Sequence, residues 1–215
     1  MSDTTTTTIP TGDLDDQAVT VPEPAAAGLD ERLFEAAVGT LELLSIHLGR
    51  QLDLYRHLGQ AGTAPELADR AGIDPRYARE WLEQQAVAGL IRTDATVTEW
   101  DNRPYWLDDE QRAVLVEAED PAHVSPFAEM VVGIANAISD VEAAYRTGGG
   151  VPYTTYGKAF RDGQAAINRP AYASELADWV EAAPELADRL RSGGRIVDIG
   201  CGGGWSTIAL ARAFP

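Results

Sequence analysis

The chain has 215 residues, 45% of them hydrophobic, and a formal charge of −17 from 34 acids against 17 bases. That length suits one large or two small domains with a real core, and the acidity argues against non-specific nucleic-acid binding, which needs a basic face. No apolar run reaches the roughly 18 residues a membrane span requires, and Met1-Ser2-Asp3 followed by five threonines has neither the basic nor the apolar region of a secretory signal.

Residues 1–28 are rich in Thr, Asp, Pro and Ala and carry five acids with no Lys or Arg, which reads as a disordered, solvating acidic tail. From residue 29 to about 48 the pattern turns helical, with Leu33, Phe34, Ala37, Val38, Leu41, Leu44, Ser45 and Leu48 on one broad stripe. A leading helix this apolar suggests an interface with a second chain, and Gly49 is read as its break. A second helix is expected over 51–58.

Thr63-Ala-Pro-Glu66 is a capping box that opens a short helix ended by Gly72. Asp74-Pro75 sets an N-cap before a proline at the first helical position and opens a third helix to about 88. Tyr77, Trp81, Leu82, Gln85 and Val87 mark its face. Strands follow at 90–93 and 104–107. Three helices and a hairpin in that order make a winged helix-turn-helix. Between Thr63 and Thr93 there are four arginines against five acids, and the wing adds Asp94, Glu99 and Asp101 against Arg103. Neither surface suits phosphates, so nucleic acid is not expected as a partner.

Asp108-Asp-Glu-Gln111 caps a helix to about 118. Ser125-Pro126 opens a long one to about 146, on which Phe127, Met130, Val131, Ile134, Ile138, Val141 and Tyr145 recur at helical spacing. This connecting helix either packs in the core or roofs a substrate cavity. Gly148-Gly-Gly150 is a flexible joint. Beyond it Tyr153, Tyr156, Gln164, Asn168 and Arg169 stand among small residues and aromatics, ahead of a helix expected at 173–183.

Arg195-Ile-Val-Asp-Ile-Gly-Cys-Gly-Gly-Gly-Trp-Ser-Thr207 then reads as strand, glycine turn and helix. Ile196, Val197 and Ile199 form the buried strand, and Ser206 or Thr207 sits near the N-cap of the helix. Such a junction lets a ligand lie against bare backbone beside a helix N-terminus. The dinucleotide fingerprint would need glycine where Trp205 stands, and a P-loop would need a lysine after its last glycine, whereas the only lysine is Lys158. Cys201, the only cysteine, excludes an internal disulfide and fits a reducing cytoplasm. It reads as a small residue in a tight turn, with a catalytic thiol the alternative. His47, His57 and His123 are scattered without partners at ligand spacing, so no metal is expected.

Asp198 followed by Gly200, Gly202 and Gly204 closely resembles motif I of the class I S-adenosylmethionine-dependent methyltransferases. The resemblance implies that the backbone of the turn from Gly200 to Gly204 packs against the cofactor, with Gly200, Cys201, Gly202 and Gly204 its candidate contacts, and that Asp198 faces its ammonium group. The winged helix with the segment Val151-Pro-Tyr153, Tyr156-Gly157, Phe160, Gln164-Ala165 and Asn168-Arg-Pro170 resembles bacterial and archaeal winged-helix methyltransferases of unassigned substrate. In such enzymes the segment before motif I commonly closes over the cofactor. By that resemblance Tyr156, Asn168 and Arg169 are candidate cofactor contacts and Tyr153 and Gln164 candidate substrate contacts. Domain-junction cross-linking is the alternative role for all five.

The expected fold is mainly α. Residues 1–28 are the tail, 29–120 a winged-helix dimerisation domain, 121–150 a connecting helix and glycine linker, and 151–215 the first β-α unit of a Rossmann-like S-adenosylmethionine-binding domain. The expected function is methyl transfer to a small molecule by a cytoplasmic homodimer paired through its N-terminal helices. A winged-helix DNA-binding regulator and a non-catalytic dimerisation module are the alternatives. A seven-stranded methyltransferase sheet needs more strands than follow motif I, so the chain is expected to be an N-terminal fragment, inactive alone.

Overall fold

A computed structural model describes residues 28–215; the acidic tail expected at 1–28 lies, except for Gly28, outside the described residues. The chain divides into two units after Ala36. The first contributes, among the described residues, the opening of helix α1 (Leu29–Gln51), where Leu29, Leu33 and Phe34 are exposed. The second unit, 37–215, carries everything else.

The winged helix is built from the second part of α1, then α2 (Leu54–His57), α3 (Ala64–Ala71), α4 (Pro75–Val87) and the antiparallel pair β1 (Arg92–Thr93) and β2 (Tyr105–Trp106). Arg92 lies opposite Trp106, and Gly62 just ahead of α3 adds an isolated bridge to Tyr105. Both predicted caps form. Thr63 and Glu66 close the box on α3, and Asp74 accepts from the Arg76 amide at 2.9 Å at the start of α4. Leu54, Leu58, Leu67, Leu82, Ile91 and Tyr105 fill the core beneath.

Gly49 does not break α1. The helix runs on to Gln51, and the turn comes at Asp53, whose φ of 54° places it in the left-handed region. Gly49 is buried, and a Cβ there would stand 2.9 Å from Tyr55 Cε2 and closer still to the Trp81 indole. Its lack of a side chain lets Trp81 lie across α1. Trp81 donates to the Ser45 carbonyl at 3.1 Å and meets Tyr55 edge-on with ring centroids 5.0 Å apart. On α4 the buried stripe is Ala78, Trp81, Leu82 and Gln85. Tyr77 and Val87, expected inward, fall off that stripe and are 69% and 91% exposed. Buried Gln85 is held by the Tyr55 hydroxyl, which donates to it, and by its own donations to Ser45 Oγ and Gln84.

Helix α5 (Asp109–Leu115), capped by Asp108 and Gln111, leads to α6 (Phe127–Thr147). The buried face of α6 is not the large apolar stripe the spacing suggested. Ala128, Glu129, Gly133 and Ala137 turn inward, while Phe127, Ile134, Ile138 and Tyr145 are exposed. The reason is close approach of α7 (Gly157–Ser174), which follows a 3-10 turn, Tyr153–Tyr156. A Cβ on Gly133 would stand 2.9 Å from Phe160 Cα, and one on Gly163 would stand 2.9 Å from Glu129 Cβ. Only small residues allow the two backbones to pack so tightly.

The segment expected to precede a helix is therefore itself a helix, passing through buried Pro170; the end of α7 and α8 (Leu176–Glu181) cover the helix expected at 173–183, and α9 (Pro184–Arg191) follows it. The strand expected at 196–199 does not form: Val197 and Ile199 are 81% and 92% exposed. A strand needs a hydrogen-bonded neighbour, and the only sheet among the described residues is the wing hairpin. The helix after it does form, as α10 (Trp205–Ala213). The chain is mainly α, as expected. Among the described residues no helix is long and apolar enough to cross a membrane.

Gly49 and Gly39 separate packing from propensity on one helix, because a Cβ on Gly39 meets nothing within 4 Å. Gly39→Ala should raise the urea midpoint, by about 0.5–1 kcal/mol of helix propensity. Gly49→Ala should lower it, because overpacking costs about 1–3 kcal/mol. Equal gains from both would contradict the close contact at Trp81.

Candidate functional site

The glycine turn and α7 enclose a cavity of about 580 Å³. Gly200, Cys201, Gly202 and Gly203 form one wall, and Tyr153, Gln164 and Asn168 stand on the other. Six of the ten site residues expected from the sequence are thus brought together. Gly200 and Gly202 have positive φ, 79° and 56°, and a Cβ on either would meet nothing within 4 Å, so bare backbone borders open space. Gly203 is the tight point. A Cβ there would stand 2.5 Å from Ala165 Cβ, so its absence seats the loop on α7. Tyr153 donates its hydroxyl to Gln164 Oε1 at 2.5 Å.

The other four expected residues lie apart from this cavity's lining. Asp198 Oδ2 accepts from the Ser206 and Thr207 hydroxyls at 2.6 and 2.8 Å, and these bonds hold its carboxyl below the usual carboxylate range. Ser206 and Thr207 stand near the N-cap as expected, in the first turn of α10. Gly204 is the N-cap itself, with φ of 77°, and Asp198 braces the first turn of α10 through the two hydroxyls. Tyr156 packs against Phe160 with centroids 5.1 Å apart. Arg169 lies over the Trp205 ring, 3.8 Å from its centroid, and pairs with Glu119 at 2.5 Å. Glu119 also receives Arg212 at 3.3 Å, so one carboxylate links α7 and α10; Arg169 and then Arg212 hold its pKa down.

Sequence reasoning missed Arg161, Asp162, Ala165, Tyr172 and Trp205, which with Gly203 of the expected turn complete the cavity. The signal was present. Arg161, Gln164, Ala165, Asn168 and Tyr172 recur at the spacing of one helix face, legible once the segment is taken as helical.

A second cavity, about 300 Å³, lies between the winged helix and α7 and shares Asp162 and Trp205 with the first. A buried polar cluster borders it. Arg50, near the end of α1, donates to Glu129 Oε1 at 2.6 Å and to Ser125 Oγ at 2.6 Å, and its Nη1 stands 3.5 Å from His123 Nε2. Burial, then the Arg50 guanidinium, push the His123 pKa down to about 4. On the winged helix itself, Arg76 pairs with Glu80, Arg79 with Glu83 and Arg92 with Asp108, while Arg103 reaches Glu83 at 4.0 Å. Among the described residues no group of three or more His, Cys, Asp or Glu is placed to hold a metal ion.

Residues 36–117 match the Rv2258c-like winged HTH domain, so this segment is a winged helix of that kind. No curated protein matches the chain by sequence. Among solved structures, PigF with SAH matches with a TM-score of 0.52 at 17% sequence identity, over 88% of this chain and 56% of that one. The chain thus spans little more than half the length of that protein, and what the two share is the fold.

Neutral His123 makes stability depend on pH. The unfolded chain takes up a proton near 6.5 and the folded one only near about 4, so this contribution is complete above 6.5 and is lost as pH falls through that window. The shift corresponds to roughly 3 kcal/mol. The wild-type urea midpoint should fall more between pH 6.5 and 4 than that of His123→Gln; parallel curves would contradict a buried neutral imidazole.

Proposed function

We propose that the cavity between α7 and the glycine turn binds S-adenosylmethionine and that the protein transfers a methyl group to a small molecule. The observation that carries this reading is the bare backbone of Gly200 and Gly202 facing, across one 580 Å³ cavity, the polar groups of Gln164 and Asn168. The volume falls in the ordinary range for small-molecule sites, about 300–1,000 Å³. A glycine wall accepts a flat adenosine-like ligand closely, and a pair of amide side chains can satisfy its polar edge. The fold shared with PigF, whose structure holds SAH, supports the same assignment.

When bound, the cofactor supplies an electrophilic methyl on a sulfonium sulfur. The protein's own work is alignment and exclusion of water. Gly203 against Ala165 sets the depth of the loop, and the Tyr153 hydroxyl orients the Gln164 amide. Trp205, held under Arg169, closes one side. The acidic partners of Arg76, Arg79, Arg92 and Arg103 speak against a DNA-binding reading, because those guanidinium groups are already engaged.

Calorimetric titration of S-adenosylhomocysteine into the full-length protein tests the reading. Wild type should bind. Gly202→Val, which places a branched side chain in the cavity from a left-handed backbone position, should bind at least tenfold more weakly. A folded wild type that gives no binding heat at several temperatures contradicts the proposal.

A further inference from the structure

Most arginines among the described residues pair with a carboxylate. Arg161 does not. It lines the larger cavity, and among the described residues its guanidinium has neither an ion pair nor a hydrogen-bond partner. Asp162, the one carboxylate on that cavity's wall, is matched by Lys158 one helical turn back. The remaining polar side chains of the wall, Tyr153, Gln164, Asn168, Tyr172 and Cys201 among them, are uncharged. The cavity therefore carries one unmatched positive charge, in a chain whose formal net charge is −17.

That charge stands at one end of a row. Arg161, Gln164, Asn168 and Tyr172 follow one another along one face of α7. The row from Arg161 to Tyr172 runs about 16 Å, at roughly 1.5 Å per helical residue. Such a wall suits an elongated ligand with an anionic group at one end and an uncharged body. S-adenosylmethionine has one anionic group, the carboxylate of its methionine part. A guanidinium presents a planar fork of donors that a carboxylate accepts at two points. The ligand's ammonium and sulfonium are cations, which the same guanidinium repels. Asp198, the carboxylate expected to take the ammonium, lies outside the cavity's lining and is engaged by Ser206 and Thr207. The anionic end of the molecule is the end this cavity can read.

We propose that Arg161 holds the carboxylate of the cofactor and is the residue by which the site selects a ligand that carries one. The assignment rests on the S-adenosylmethionine reading of the cavity.

Calorimetric titration of the full-length protein with S-adenosylhomocysteine and with its carboxamide, which keeps the ammonium and loses the negative charge, tests it. Wild type should bind S-adenosylhomocysteine roughly tenfold or more tightly than the carboxamide, the scale of one charge-assisted pair. Arg161→Gln should weaken S-adenosylhomocysteine by about that factor and bind the carboxamide no worse than wild type does, so that the preference disappears. Arg161→Lys keeps the charge without the fork and should retain part of the preference. Arg161 is exposed, so melting curves of both variants should overlay that of wild type. Equal binding of the two ligands by wild type, a wild-type preference kept in Arg161→Gln, or an equal loss of both ligands in that variant overturns the assignment while the cofactor reading stands. If S-adenosylhomocysteine does not bind wild type, the cofactor reading itself fails and the assignment falls with it.

Discussion

The contact between α6 and α7 fixes where almost everything of functional interest can lie. Gly133 lets Phe160 approach the backbone of α6, and Gly163 lets Glu129 and Met130 approach the backbone of α7. With two glycines at the crossing, α7 is pressed against the connecting helix, and its remaining faces are turned toward the winged helix on one side and the glycine turn on the other. Gly203 against Ala165 repeats the device at the next contact. A methyl group at any of the three would push one layer away from the next, because packed interiors do not yield by several tenths of an ångström without cost. Both cavities owe their walls to this stacking. Residues of α7 line each of them, and Trp205 is the partition.

The polar contacts serve the same arrangement. Arg50 ties α1 to the start of α6 through Glu129, and Glu119 ties α7 to α10 through Arg169 and Arg212. The two differ in kind. The Glu119 pairs are exposed and hold geometry weakly. The Arg50 cluster is buried, and removing either charge would strand the other in a medium that solvates it poorly.

Local chemistry was legible from the sequence wherever one side chain decides a backbone state. The capping boxes at Thr63 and Asp108, the Asp74-Pro75 start and the glycine turn from Gly200 to Gly204 are such cases, and so is the winged helix they assemble. What stayed hidden depends on partners distant in sequence. Gly49 looks like a helix break until Trp81 and Tyr55 are seen to need its space. The large residues of α6 form the better stripe on paper, yet the small ones are buried because α7 can come close only there. Ile196, Val197 and Ile199 have strand propensity but no ladder to join. In the site, reading 157–174 as a polar segment and not as a helix concealed Arg161 and Tyr172, while Gln164 and Asn168 were found because their residue type stands out. Asp198 was singled out by its place before the glycines, but its hydroxyl partners lie beyond them, in the first turn of α10.

The central claim is that α7 and the glycine turn form one ligand site across a shared cavity. Hydrogen exchange of the full-length protein with and without S-adenosylhomocysteine addresses it directly, since it reports each segment separately. Exchange should slow together in residues 153–172 and 200–205, with α3 and α4 unchanged. Slowing confined to one of those two segments, or appearing instead in the winged helix, would contradict the account.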